Sequence, residues 1–220
     1  PANKSYTHRA IFLAALSDGK SIVKKILRSN DTIATISACR GFGVEVEEVE
    51  NNVTIKNKIG EIVQSSIINA ENSGTTIRIA IAIAALSGGN TTLTGDDSLR
   101  KRPMQPILDA LETMGVKTES DEGKPPIHIN GKIQGKEVSV NGNISSQFIS
   151  ALLIIAPRLP NGLTINVQGE LVSKPYVDLT IAIMKKFGVE VKIEEAYKRY
   201  TVSHQIYKPT TFSIPSDFSN

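Results

Sequence analysis

A short pattern that occurs three times at nearly equal intervals constrains this chain more than any other feature. Phe42-Gly43-Val44, Met114-Gly115-Val116 and Phe187-Gly188-Val189 each read apolar-glycine-valine, with the glycines 72 and 73 residues apart. Each triplet closes a stretch of helical spacing: Ile33, Ile36, Cys39, Phe42; Met104, Ile107, Leu108, Leu111, Met114; Tyr176, Leu179, Ile183, Met184, Phe187. Apolar residues three or four apart mark one buried helix face. A glycine just past the last turn can adopt the left-handed conformation that ends a helix, and the valine after it can pack back.

After each Gly-Val the period changes to two, as strands require: Val44, Val46 and then Val53, Ile55; Ile127, Ile129; Val189, Val191 and then Tyr200, Val202. Upstream of each unit lies another helical stretch, closing in Ala14-Ala15-Leu16-Ser17, in Ala84-Ala85-Leu86-Ser87 and in Ser150 to Ala156. β-like segments follow at Ser21-Ile22-Val23, Thr91-Thr92-Leu93-Thr94 and Leu163 to Val167. The unit therefore reads helix, strand, helix, strand, strand. A period near 72 residues is too long for a solenoid. It predicts an α/β (α+β) chain made of three small units around an approximate threefold axis. No linker or charge run divides it, so residues 1–220 read as one domain with repeats at about 1–70, 71–142 and 143–220. The first helix starts almost at residue 1 with no strand before it. The last strand, Thr211 to Pro215, runs into Ser216 to Asn220 and stops. Both ends have the look of cuts through a longer chain.

Composition narrows the function classes. Hydrophobic residues at 40% and charged residues at 21% are ordinary for a soluble domain, and no apolar run long enough to span a bilayer occurs. The polar start, Pro1 to Arg9, does not read as a signal peptide. The single cysteine, Cys39, excludes an internal disulfide and a cysteine-based zinc site, and fits a cytoplasmic location. His8, His128 and His204 lack metal-ligand spacing, so no metal is expected. Lys and Arg exceed Asp and Glu by 25 to 22, a balance suited to small anions and too weak to argue for nucleic acid. With no tryptophan and 5% aromatic residues, little material exists for stacking bases.

Candidate chemistry sits at the starts of the helices. Polar clusters recur at Lys4-Ser5-Tyr6-Thr7-His8-Arg9, Asn72-Ser73-Gly74-Thr75-Thr76-Ile77-Arg78, Arg100-Lys101-Arg102-Pro103, Ser145-Ser146-Gln147 and Ser173-Lys174-Pro175-Tyr176. Serine or asparagine before a helix is usually a cap, and Pro103 and Pro175 suit a first helical position. The cations are more telling. A helix dipole disfavours positive charge at its start, yet Lys4, Arg9, Arg78, Arg100 and Arg102 fall there. That placement is poor for stability and good for holding a phosphate or carboxylate.

These five segments, in this order and spacing, resemble the signature segments of the 5-enolpyruvylshikimate-3-phosphate synthase family. The resemblance spans the whole chain. It implies a two-domain fold in which each domain holds three βαβαββ units, with this chain as the sequence-continuous domain and a second domain of the same polypeptide as its partner. It implies transfer of the enolpyruvyl group of phosphoenolpyruvate to the 5-hydroxyl of shikimate 3-phosphate, as part of aromatic amino-acid biosynthesis. No cofactor, metal, nucleic acid or membrane is required, and a monomer is expected. By motif, shikimate 3-phosphate would meet Lys4, Ser5, Arg9, Ser145, Ser146, Gln147, Ser173 and Tyr176. Phosphoenolpyruvate would meet Lys4, Asn72, Gly74, Thr75, Arg102 and Gln147, and Lys4 would stand near the reacting hydroxyl as the catalytic group. Asp217 resembles the acidic residue before the crossing into the second domain. The acid–base carboxylates of the family belong to that other domain, so this chain alone is expected to be inactive. Ser73 and Tyr6-Thr7-His8 depart from the family's commoner small residues. Two other readings carry less. A UDP-N-acetylglucosamine enolpyruvyl transferase-like domain usually has a reactive cysteine in the loop matching Asp96 to Arg102, and this loop has none. An RNA-binding or RNA-processing module of βαβαββ units would want aromatic platforms.

Overall fold

The glycine of each repeated triplet marks the point where a helix stops. Gly43, Gly115 and Gly188 have φ of 83, 91 and 81°, the left-handed region that glycine enters without steric cost. The hydrogen bonds around them are the same three times. The Val44 N–H donates to the Cys39 carbonyl and the Gly43 N–H to Arg40; Val116 and Gly115 donate to Leu111 and Glu112; Val189 and Gly188 donate to Met184 and Lys185. This is the Schellman closure, and the valine of each triplet is buried against the helix it ends.

The computed structural model describes residues 3–57, 67–143 and 145–216. Asp217 lies outside the described residues. Among the described residues, six α-helices, α1 (Lys4–Leu16), α2 (Asn30–Gly41), α3 (Gly74–Ser87), α4 (Gln105–Thr113), α5 (Ser146–Ile155) and α6 (Lys174–Lys186), accompany twelve strands. The strands are β1 (Gly19–Lys24), β2 (Glu45–Val49), β3 (Asn52–Asn57), β4 (Ile67–Asn69), β5 (Asn90–Thr94), β6 (Lys117–Asp121), β7 (Lys124–Asn130), β8 (Glu137–Asn141), β9 (Leu163–Gln168), β10 (Lys192–Glu195), β11 (Arg199–Val202) and β12 (Thr211–Ser213).

They form three four-stranded sheets of one design: β4-β5-β7-β6, β8-β9-β11-β10 and β12-β1-β3-β2. In each, the first two strands are parallel and the other neighbours antiparallel. Parallel neighbours need a crossover, and α3 and α5 supply it in the second and third units. In the first unit the strand before α1 comes from the far end of the chain. β12 pairs with β1 in the register Ile22 to Thr211, and the Thr210 N–H donates to Ser21 Oγ. The expected last strand thus completes the sheet that had no strand ahead of its first helix.

The first helices of the units form the core. Every residue of α1 from Thr7 to Leu16 is buried, as are Ile79 to Ala85 of α3 and Phe148 to Ile155 of α5. The second helices bury one face each. α2 packs on α3 and β4, α4 on α3 and β8, and α6 on α5 and α1, so the units close into a ring. No helix among the described residues is long and apolar enough to cross a membrane.

Local expectations shift in four places. Ile33 is 42% exposed, because α2 turns Thr32 and Thr35 inward instead. Tyr176 is 45% exposed, and Thr180 occupies the inner face of α6. Pro103 lies between a short 3-10 turn at Leu99–Lys101 and α4, which begins two residues later with Pro106 in its first turn. Val189 and Val191 precede β10 rather than forming it.

Replacing Gly115 by alanine tests the caps. An added Cβ would approach only the flexible Gln134 side chain, at 3.4 Å, so the cost is that of the left-handed backbone, about 1–2 kcal/mol. Urea denaturation of the chain should show that loss; no loss would mean the glycine is not required by its φ.

Candidate active site

The helices reach the surface at their N-terminal ends, and side-chain bonds bring those ends together. Arg9, in the second turn of α1, donates through Nε to Thr180 Oγ1 of α6 at 2.7 Å and through Nη2 to Ser150 Oγ of α5 at 3.4 Å. Arg78, in the second turn of α3, donates to Gln147 Oε1 at the start of α5 at 2.6 Å. His8 Nδ1 of α1 meets Thr35 Oγ1 of α2 at 2.7 Å, and Thr35 meets Thr76 of α3 at the same distance. Each bond joins residues within the first two turns of their helices, so the starts of α1, α2, α3, α5 and α6 share one end of the molecule.

Two guanidinium groups crowd the start of α3. A Cβ placed on Gly74 would lie 2.8 Å from Arg78 Nη1 and 3.0 Å from Arg102 Nη1. Ser73 Oγ caps the helix by accepting the Thr76 N–H. The N–H groups of Gly74 and Thr75 make no hydrogen bond among the described residues. Arg102 is held by Asn72 Oδ1 at 2.8 Å, and the Asn72 amide donates to Asp96 Oδ2 at 2.8 Å. The Leu99 N–H, aided by that amide, holds the Asp96 carboxyl below its usual range. Burial, and then the neighbouring Arg102 charge, pull the Arg78 pKa down. Arg78 also lies 5.3 Å from the Phe148 ring centroid.

Arg9 is the more extreme case. It is 2% exposed, and its partners are two hydroxyls, the Ser5 carbonyl and the face of Tyr176 at 5.8 Å. Burial brings its pKa down to about 10, against a smaller opposing effect of Tyr176. Among the described residues no carboxylate comes within ion-pair distance of Arg9, Arg78 or Arg102. Desolvated cations without a counter-ion are costly, and an anion between them recovers that cost.

The remaining sequence candidates lie at the same helix starts. The Lys4 ammonium sits 2.6 Å from Asp31 Oδ2 and is half exposed. Ser5 is partly exposed beside Arg9. Ser145 caps α5 through the Gln147 N–H, while Ser146 is almost wholly buried. Ser173 takes the left-handed conformation, φ 55°, and its exposed hydroxyl is not used to cap α6. Thr75 is partly exposed at the α3 start. Arg100, grouped with them in sequence, donates to the Gly95 carbonyl and braces the loop. No group of three or more potential metal ligands occurs among the described residues.

Sequence reasoning missed the bracing hydroxyls Thr35, Thr76, Ser150 and Thr180. Their signal is spacing: Ser150 and Thr180 lie one turn beyond Ser146 and Tyr176. It also counted Arg78 among the anion-holding cations but assigned it no substrate contact, although Arg78 links Gln147 to the Gly74 turn.

A profile of EPSP synthase (3-phosphoshikimate 1-carboxyvinyltransferase) matches residues 1–220. The 3-phosphoshikimate 1-carboxyvinyltransferase of Nitrosopumilus maritimus is 54% identical over 222 residues, covering all of this chain and 52% of that protein. That of Methanosarcina acetivorans is 46% identical over 225 residues, with the same coverage of both. The solved structure of EPSP synthase from Acinetobacter baumannii superposes with a TM-score of 0.84 at 27% identity, over 98% of this chain and 49% of that one. The chain spans about half the length of the curated relatives it matches.

His8 gives the site end of the molecule a pH dependence. Burial, the largest influence, lowers its pKa from 6.5 to about 4. Because the folded value lies below the unfolded one, the unfolded chain takes up the proton first. The associated stability is present above about pH 6.5 and is lost as pH falls towards 4. Between pH 7 and pH 4.5, urea denaturation should show the wild-type chain losing roughly 2–3 kcal/mol more stability than a His8→Gln variant. Equal losses in the two would place a solvated histidine here.

Proposed function

This chain belongs to the EPSP synthase family, and we propose that within the complete protein it holds shikimate 3-phosphate and one side of phosphoenolpyruvate during enolpyruvyl transfer. One observation carries the reading: three guanidinium groups without a carboxylate partner among the described residues stand at the gathered starts of the helices. Both substrates carry a phosphate and a carboxylate, the groups that a planar guanidinium and open helix N–H groups bind best.

In this reading Arg102 and the Gly74 turn take the phosphoenolpyruvate phosphate, with Asn72 fixing the Arg102 head and Thr75 and Gln147 bordering the ligand. Gly74 is required because any side chain there would occupy the space between the two arginines. Arg9 and Ser5 take the shikimate carboxylate. Ser145, Ser146 and Ser173 take its phosphate, Tyr176 and Gln147 flank its ring, and Lys4 lies by the 5-hydroxyl. In the reaction the 5-hydroxyl gives up its proton as its oxygen bonds to C2 of phosphoenolpyruvate, while the methylene carbon of phosphoenolpyruvate takes up a proton. The tetrahedral adduct then expels phosphate and loses a methyl proton, which restores the double bond. Acid–base carboxylates from the rest of the protein would move those protons. Closure over both substrates would exclude water and fix them in contact. A cytoplasmic setting belongs to the same reading, supported by the single cysteine, buried and unpaired.

Thermal denaturation tests the binding half of this proposal. Shikimate 3-phosphate should raise the melting temperature of the 220-residue chain, which should release no phosphate from the substrate pair, whereas the complete protein should. Turnover by the chain alone would show the acid–base groups to be misassigned.

A second outcome concerns Gly74. Gly74→Ala in the complete protein should raise KM for phosphoenolpyruvate by about tenfold or more through displaced guanidinium groups, with melting temperature unchanged. An unaltered KM would separate the α3 start from phosphoenolpyruvate.

A further inference from the structure

Behind the groups assigned to substrate lies a buried polar chain that the reading above does not use. His8, Thr35, Thr76 and Ser73 are each at most 1% exposed. His8 Nδ1 lies 2.7 Å from Thr35 Oγ1, Thr35 Oγ1 2.7 Å from Thr76 Oγ1, and Thr76 Oγ1 2.7 Å from Ser73 Oγ. Ser73 Oγ in turn accepts the Thr76 N–H at 3.1 Å, which caps α3 one residue before Gly74. The Asp31 carbonyl accepts from both threonine hydroxyls at 3.3 Å.

The chain crosses three helices in series, from α1 through α2 to the cap of α3. Hydrogen bonds in a dry interior tolerate little misplacement, because a hydroxyl moved off its partner is left unsatisfied. Apolar side chains would fill the same space without that restriction and would let α3 slide or rotate against its neighbours. The polar series also leaves His8 Nε2 buried with no hydrogen-bond partner among the described residues. It is therefore a costly way to fill the space, and what it adds is a fixed height and rotation of the α3 start. Gly74 depends on that placement, because an added Cβ there would meet Arg78 Nη1 at 2.8 Å and Arg102 Nη1 at 3.0 Å.

We infer that His8, Thr35 and Thr76 are positioning residues that set the Ser73–Gly74 turn for phosphoenolpyruvate without touching it. The inference rests on the assignment of the α3 start to phosphoenolpyruvate. The shikimate 3-phosphate groups of α5, α6 and Arg9 have no member in this series, so the two substrates should respond differently.

The test uses the complete protein with Thr76→Val, which removes the hydroxyl at constant shape, and Thr76→Ser, which keeps it. Thr76→Val should raise KM for phosphoenolpyruvate by about tenfold while KM for shikimate 3-phosphate stays within about twofold. Thr76→Ser should stay near wild type in both. If Thr76→Val does not fold, Thr35→Val carries the same expectation. A parallel rise in both KM values, a fall in melting temperature with neither KM changed, or failure of Thr76→Ser to preserve the wild-type KM would overturn the inference. A wild-type protein that turns over the substrate pair while Thr76→Val matches it ends this inference alone. A wild-type protein with no turnover ends the functional reading, and this inference with it.

Discussion

Helices α1, α3 and α5 have almost no solvent side, and the rest of the molecule follows from that. A helix apolar all round must be enclosed, and three sheets with three further helices provide the enclosure. Their lengths offer no place for polar chemistry. Only the ends can carry it, and the shared direction of the helices collects five N-termini on one face. Packing thereby gathers the polar groups of these helices on that face.

Charge at that face runs against the rules for a stable helix. Positive groups near a positive dipole end, with Arg9 in the dry interior and Arg78 beside Arg102, lower the stability of the unliganded state. Hydroxyls and amides hold these groups in place without neutralising them. Asn72 orients Arg102 and Gln147 orients Arg78, while Thr180 and Ser150 orient Arg9. A carboxylate in any of these positions would satisfy the cation and compete with a ligand. Lys4, already paired with Asp31, is the exception and is also the most exposed of the four.

Features set within a few residues were legible from the sequence. The left-handed glycines at positions 43, 115 and 188 follow from the end of apolar spacing, because a helix cap is a local event. The polar helix starts were legible for the same reason, and with them most of the candidate site. Contacts between distant segments were not. Arg9 meets Thr180 across 171 residues and Arg78 meets Gln147 across 69, and no spacing rule connects them. The inward turn of Thr35, at the expense of Ile33, depends on Thr76 and His8 in other helices. Apolar periodicity finds faces buried by oil-like packing and misses faces buried by hydroxyls.

The pairing of β12 with β1 also bears on the order of assembly. The second and third sheets draw on contiguous stretches of chain, and each can form once its own residues have left the ribosome. The first sheet closes only when strands 189 residues apart in sequence meet. Its loop is the longest and the entropic cost of closing it the greatest. Until then β1 keeps an open parallel edge, the kind of edge that invites pairing with a foreign strand. The unit made first is therefore the one finished last, and its exposure during synthesis is set by the rest of the domain.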